Sequence, residues 1–110
     1  MKIHKLNQMT RGWFVGAFQP TAFHANEVEV GVKYYEAGDK ETLHHHKIAT
    51  EITLILNGTV QMCGAEYSSG DIIVLSPGEA TDFAALSDVT TVVVKIPGAL
   101  DDKYLGSSNA

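Results

Sequence analysis

Three consecutive histidines, His44, His45 and His46, are the residues of this chain best suited to chemistry. On an extended backbone, residues i and i+2 project to the same face, so His44 and His46 share one side and His45 takes the other. A neutral imidazole binds divalent transition metals, and the Glu51 carboxylate five residues beyond His46 can add an oxygen ligand. Two histidines and one carboxylate hold Zn, Fe, Mn or Ni and leave coordination positions open. The pattern therefore predicts a catalytic divalent metal site.

Other interpretations of these reactive residues remain open. A histidine-rich turn can simply be solvated. Glu41 and His44 are spaced as Glu-X-X-His, but di-iron chemistry needs two such copies on facing helices of a bundle. Cys63 has no activating cation next to it in sequence, which favours a small packing or edge residue. Lys47, beside the histidines, can contact an anionic substrate or remain in solvent.

The elements that must position these side chains are strands. Residues 27–34 alternate strictly, with Val28, Val30, Val32 and Tyr34 on one face and Glu27, Glu29, Gly31 and Lys33 on the other. This alternation predicts a strand with one wet face. Runs rich in Ile, Val, Leu and Thr predict four further strands, over residues 51–56, 59–63, 71–75 and 89–96.

Turn signals separate the predicted strands. Asn57-Gly58 is the strongest of them, because a type I′ hairpin turn needs positive φ at both central residues. No stretch of ten residues has a clear helical period, which argues against a parallel dinucleotide-binding sheet. The sequence predicts an all-β fold dominated by hairpins, as an antiparallel barrel or sandwich.

Composition narrows the class of protein. A chain of 110 residues, 45% of them hydrophobic, is long enough for one domain and one core. Thirteen acidic against eight basic residues give a net charge of −5, which argues against a nucleic-acid partner. A single cysteine cannot form an internal disulfide, and no apolar run approaches the roughly 18 residues of a membrane span. We expect a soluble, cytoplasmic protein with no membrane partner.

The spacing around the histidines resembles the first motif of the cupin superfamily. Residues 38–58 match Gly-X5-His-X-His-X4-Glu-X6-Gly throughout, with Gly38, His44, His46, Glu51 and Gly58 at the named positions. Five positions at defined spacings, three of them metal-ligand types, make chance agreement improbable.

The second cupin motif, Gly-X5-Pro-X-Gly-X2-His-X3-Asn, is matched only in part. Gly70 and Gly78 are in place and Pro77 lies one residue late. Thr81 stands where the motif has its histidine, which would be the fourth metal ligand. Ser76 and Ala85 replace the motif's proline and asparagine. The likeness covers residues 28–96.

The resemblance implies a small double-stranded β-helix or jelly-roll barrel with His44, His46 and Glu51 inside, as metal ligands and catalytic residues. We expect water in place of the missing histidine, and Thr81 and Tyr34 in the pocket for a small-molecule substrate. The implied activity is isomerisation or epimerisation of a sugar derivative. A metal-dependent dioxygenase, or a non-catalytic ligand-binding module with a vestigial metal site, are the alternatives.

Two segments flank residues 28–96 within the one domain predicted over residues 1–110. The first, residues 11–24, contains Trp13, Phe14, Phe18 and Phe23 and is too apolar to lie free. It is expected to plug a barrel end or pack on a second subunit of a homodimer. The polar segment 98–110 is expected at the surface.

Overall fold

Two five-stranded antiparallel sheets form this protein in a computed structural model, which describes residues 1–108. Residues 109 and 110, the end of the predicted polar segment 98–110, lie outside that range. Within residues 1–108 a short 3₁₀ helix, Leu6–Gln8, is followed by ten strands: β1 Trp13–Val15, β2 Glu29–Tyr35, β3 Lys40–His45, β4 Thr50–Asn57, β5 Thr59–Met62, β6 Ala65–Ser68, β7 Ile72–Leu75, β8 Ala80–Ala85, β9 Val89–Ile96 and β10 Tyr104–Leu105. No helix among these residues is long and apolar enough to cross a membrane. The all-β prediction is confirmed.

The strand order is that of a double-stranded β-helix. The first sheet runs β1-β2-β9-β4-β7 and the second runs β10-β3-β8-β5-β6. Consecutive strands pair only at β1–β2 and β5–β6, so the expectation that hairpins dominate is wrong. At Asn57-Gly58, the strongest predicted hairpin turn, the chain instead crosses from β4 in one sheet to β5 in the other. Gly58 has a φ of +92°, and a Cβ there would lie 2.3 Å from the Asp88 carbonyl oxygen.

The apolar core fills one end of the space between the sheets. It joins side chains from both sheets: Ile55, Val60, Met62, Phe83, Ala85 and Val89. Tyr35 covers this cluster, with its ring centroid 4.5 Å from that of Phe83. The other end of the interior is hollow and polar, and it is there that the histidines lie.

Strand β2 turns its polar face inward. Glu29, Lys33 and Tyr35 line the hollow end, while Val30 and Val32 face the outside of the sheet. The polar face predicted from the alternation therefore exists, but it lines the hollow end between the sheets and not the outside of the sheet. The same geometry corrects the prediction for Tyr34, which points outward with 69% of its surface exposed.

The outer face of the first sheet is apolar. Cross-strand register aligns two rows of four aliphatic residues, Val30-Val94-Ile52-Val74 and Val32-Val92-Leu54-Ile72. At the β7 edge, Ile72 and Val74 are 63% and 55% exposed. We call these eight residues the outer apolar face.

Candidate metal centre and ligand cavity

One cavity brings together His44, His46 and Glu51. His44 lies near the end of β3, His46 follows in the bend after that strand, and Glu51 is the second residue of β4. All three line a cavity of about 560 Å³ at the hollow end of the fold, which we call the wide cavity. The bend between β3 and β4 therefore brings the three predicted ligands, one from β3, one from the bend and one from β4, to the same cavity.

The two imidazoles are held in one orientation by the backbone. Nδ1 of His44 donates to the Thr42 carbonyl oxygen at 2.9 Å, and Nδ1 of His46 donates to the Asp102 carbonyl oxygen at 2.6 Å. Because a carbonyl oxygen only accepts, Nδ1 carries the proton on both rings. In the neutral rings Nε2 is then the free lone pair, which is the arrangement seen in histidines that bind metals.

Glu51 lies beside His46 and is electrostatically coupled to it. Oε2 of Glu51 is 3.6 Å from Nε2 of His46. Contact with this carboxylate raises the pKa of His46 above its ordinary value, although burial alone would lower it. Burial would raise the pKa of the Glu51 carboxyl, but His46 and the charge of Lys95 hold it below its ordinary value. The carboxylate is thus ionised at neutral pH.

His45 belongs to a different environment. Its Nδ1 donates to the Gly106 carbonyl oxygen at 2.7 Å, and its ring stacks on Tyr104 with centroids 5.6 Å apart. The ring is buried and does not line the wide cavity. His45 therefore joins β3 to the C-terminal segment, outside the candidate metal centre.

Thr81 lies opposite His44, but its hydroxyl is hydrogen bonded elsewhere. The two residues are paired directly across β3 and β8, where the second cupin motif would place its histidine. Thr81 lines a small inner pocket of about 40 Å³ that continues the wide cavity past His44 and Glu51. Its hydroxyl donates to the Asp82 carbonyl oxygen at 2.7 Å and contacts the Cys63 sulfur at 3.5 Å.

Asp82 and Glu79, the nearby carboxylates, are engaged elsewhere. Asp82 accepts from the Cys63 amide at 2.7 Å, and Glu79 accepts from the Ser76 amide at 3.0 Å. Both side chains are therefore occupied by the backbone of turns. Neither takes the place of the absent histidine in the wide cavity.

The donor chemistry at His44, His46 and Glu51 fits a divalent transition metal. Two oriented Nε2 atoms and a carboxylate are ligands of Zn, Fe, Mn and Ni. The rings of His44 and His46 stand nearly perpendicular with centroids 5.8 Å apart. As positioned, residues 1–108 include no group of three or more His, Cys, Asp or Glu side chains gathered closely enough to hold an ion. These three side chains line one cavity, but they must move closer together to bind one metal ion.

Sequence reasoning missed several residues of the wide cavity. Trp13, Lys33 and Lys95 line it, and Asp102 anchors the bend that carries His46. Lys95 had a detectable signal, since it is the one charged residue in the otherwise apolar and threonine-rich strand β9. Asp102 had none, because its partners are backbone groups more than 50 residues away.

Known structures share this fold at low sequence identity. An uncharacterized conserved protein with a double-stranded β-helix domain from Klebsiella pneumoniae superposes with a TM-score of 0.69 at 19% identity, covering 76% of this chain and 73% of that one. KdgF from Halomonas sp. gives 0.64 at 22% identity, covering 71% and 76%. A sugar phosphate isomerase of the cupin superfamily from Silicibacter pomeroyi gives 0.58 at 20% identity, covering 64% and 50%.

Comparisons of the sequence alone find no related protein. The chain matches no protein-family model and no curated protein. The structural likeness, together with the two-sheet strand order, assigns the architecture. The chain has a double-stranded β-helix fold, which it shares with these solved structures.

Proposed function

We propose that this protein binds a divalent transition metal through His44, His46 and Glu51 and uses it to act on a small polar molecule in the wide cavity. The observation that carries the proposal is the orientation of the two rings. Each donates Nδ1–H to a backbone carbonyl, which leaves Nε2 available beside an ionised carboxylate.

The reaction class that we favour is isomerisation or epimerisation of a sugar derivative. When bound, the metal would act as a Lewis acid on a substrate carbonyl or hydroxyl oxygen. The sugar phosphate isomerase with the same fold supports this class by analogy. Burial, with Glu41 and Glu51 nearby, raises the pKa of Tyr35, so its phenol stays protonated and can donate to a substrate oxygen.

A non-catalytic ligand-binding module is the second candidate, and one observation favours it. Thr81 occupies the position of the fourth ligand, and its hydroxyl is already hydrogen bonded to the backbone. A vestigial site of this kind would retain the cavity and lose the metal.

We also propose that two copies pair through the outer apolar face. Its eight residues include no charged side chain, so a second copy of the same face would cover it without desolvating a charge. Soluble monomers rarely leave contiguous apolar patches of more than a few hundred Å² exposed. The partner in this proposal is therefore another copy of the chain.

Metal content tests the main proposal. Protein purified after growth with Fe, Mn, Zn and Ni should contain about one equivalent of divalent metal by mass spectrometry. His44→Ala, His46→Ala and Glu51→Gln should each lower that content, whereas His24→Ala, which alters an exposed histidine, should not. Metal content far below one equivalent, or equal in all four variants, would favour the non-catalytic module. Bound Fe would direct assays to oxygenase chemistry as well.

A further inference from the structure

Basic residues are concentrated at the wide cavity. The chain has eight lysines and arginines and a net charge of −5. Four of the eight line this one cavity: Arg11, Lys33, Lys95 and Lys103. Half of the cations of this acidic protein therefore lie around one cavity.

Trp13 organises two of these cations. Nζ of Lys33 lies 5.4 Å from the centroid of the Trp13 ring, and Nζ of Lys95 lies 5.1 Å from it. The ring rests on Gly31, where an added Cβ would be 2.7 Å from ring atom Cε3. Lys33 also donates to the Arg11 carbonyl oxygen at 3.0 Å. Two ammonium groups from neighbouring strands, β2 and β9, thus lie within 5.4 Å of one indole ring.

The cations are crowded and lack carboxylate partners. Among residues 1–108 the pair formed by His46 and Glu51 is the only ion pair within 4 Å. Burial, and after it the charge of Arg11, lowers the pKa of Lys33; Lys95 and Lys103 act in the same direction, and Glu41 opposes them. An anion between these groups would relieve their mutual repulsion.

Five carboxylates also line the wide cavity, and two of them already contact other groups of the protein. The five are Glu29, Glu41, Glu51, Asp101 and Asp102. Glu51 contacts His46, and the Asp102 carboxylate accepts hydrogen bonds from three backbone amides of the β3–β4 bend. Glu29 and Glu51 flank Lys95 in the strand register, yet neither forms an ion pair with it. Within the described residues, no carboxylate lies within 4 Å of either ammonium group near Trp13.

We infer that the wide cavity takes a small organic anion whose carboxylate or phosphate binds between Lys33 and Lys95 beside Trp13, while its polar end reaches His44, His46 and Glu51. This inference rests on the proposed function and names its substrate class. A cavity of about 560 Å³ falls within the range of small-molecule sites. Lysine binds either anionic group as a point charge, so the chemistry is common to sugar acids and phosphorylated sugars.

Trp13 supplies the readout, because it is the only tryptophan of the chain. Chelator-treated, dialysed protein is titrated at constant ionic strength with inorganic phosphate, with gluconate and with neutral glucose, and the Trp13 emission is followed. At least one anion should change the emission saturably, and glucose should not. Saturation by phosphate alone or by gluconate alone distinguishes the two anionic groups.

Charge variants test the residues. Lys33→Gln and Lys95→Gln should each weaken anion binding about tenfold. Lys33→Arg keeps the charge and should retain most of the affinity. This variant controls for a loss of binding caused by misfolding. Lys40→Gln alters an exposed lysine on β3 that does not line the wide cavity, and this variant should bind the anion as the wild type does. Equal affinities in the Lys33, Lys95 and Lys40 variants, or equal responses to gluconate, phosphate and glucose, would overturn the inference.

Metal uptake is measured separately on the same protein. His44→Ala with His46→Ala should abolish metal uptake and leave inorganic phosphate binding at Trp13 intact. Metal uptake without anion binding would refute this inference and leave the proposed function standing. Anion binding without metal uptake would refute the proposed function and leave the lysine site standing.

Discussion

The His46 ring and the Asp102 backbone are joined by a 2.6 Å hydrogen bond across 56 residues of sequence, from Nδ1 to the carbonyl oxygen. The carboxylate of the same Asp102 accepts from the amides of Lys47, Ile48 and Ala49 at 2.9–3.2 Å. Asp102 therefore positions both the ring and the bend from which the ring projects. A residue of the C-terminal segment thus organises a site whose candidate ligands lie between β3 and β4.

Replacing Asp102 should affect stability and metal binding together. Asp102→Ala leaves three backbone amides of the bend without their acceptor and should lower the free energy of unfolding by about 3 kcal/mol. Metal affinity should fall about tenfold or more, because the supports of ligating histidines carry effects of that size. Urea denaturation and metal titration measure the two effects. Glu27→Ala, at an exposed site, should stay within about 0.5 kcal/mol of wild type.

Acid should remove the contribution of Asp102 to stability. Burial would raise the pKa of its carboxyl, but the amides of Ala49, Ile48 and Lys47 and the charge of His46 hold that pKa below its ordinary value. A carboxyl with a lowered folded-state pKa stabilises the fold above the unfolded-state pKa and loses that effect as pH falls through the folded-state pKa. The gap in unfolding free energy between wild type and Asp102→Asn should be constant above about pH 5 and shrink below about pH 4. A gap that widens in acid would contradict this assignment.

Gly31 should be required for the position of Trp13. A methyl group at residue 31 would overlap the indole at 2.7 Å, so Gly31→Ala must displace the ring from the inner face of β2. We expect a shift of the tryptophan emission, weaker anion binding and a loss of about 1–3 kcal/mol of stability from overpacking. Unchanged emission and unchanged binding would show that the ring does not rest on Gly31.

A charge on the outer apolar face should separate the proposed dimer. Val74→Lys places an ammonium group at the β7 edge of the surface that a second copy would cover. Light scattering should give twice the chain mass for the wild type and a single chain mass for the variant. Gln61→Lys adds the same charge to the exposed face of the other sheet and should leave the dimer intact. A monomeric wild type would refute the pairing.

The fold was predictable because its strands carry strong local signals. Strands β4, β5, β7 and β9 lie where runs of β-branched residues predict them. The connection at Asn57-Gly58 was not, because a local turn signal does not report whether the next strand joins the same sheet. The inward polar face of β2 also escaped prediction, since alternation separates two faces without stating which one meets the cavity.

The candidate site was predictable only where its residues are close in sequence. His44, His46 and Glu51 lie within eight residues of one motif, whereas the anchoring role of Asp102 depends on contacts 53–56 residues away. The sequence predicts Tyr34 in the pocket, but Tyr35 lies there, and this shift of one residue reverses the face of the strand. Local spacing thus identified the donors, and tertiary contacts determine what surrounds them.

Anomalous diffraction from crystals of metal-loaded protein, recorded at the absorption edge of the bound metal, would locate the ion itself. We expect one strong peak in the wide cavity, about 2.0–2.2 Å from Nε2 of His44, Nε2 of His46 and the Glu51 carboxylate. A peak bound elsewhere, or no peak at these three side chains in fully loaded crystals, would contradict the proposed metal site.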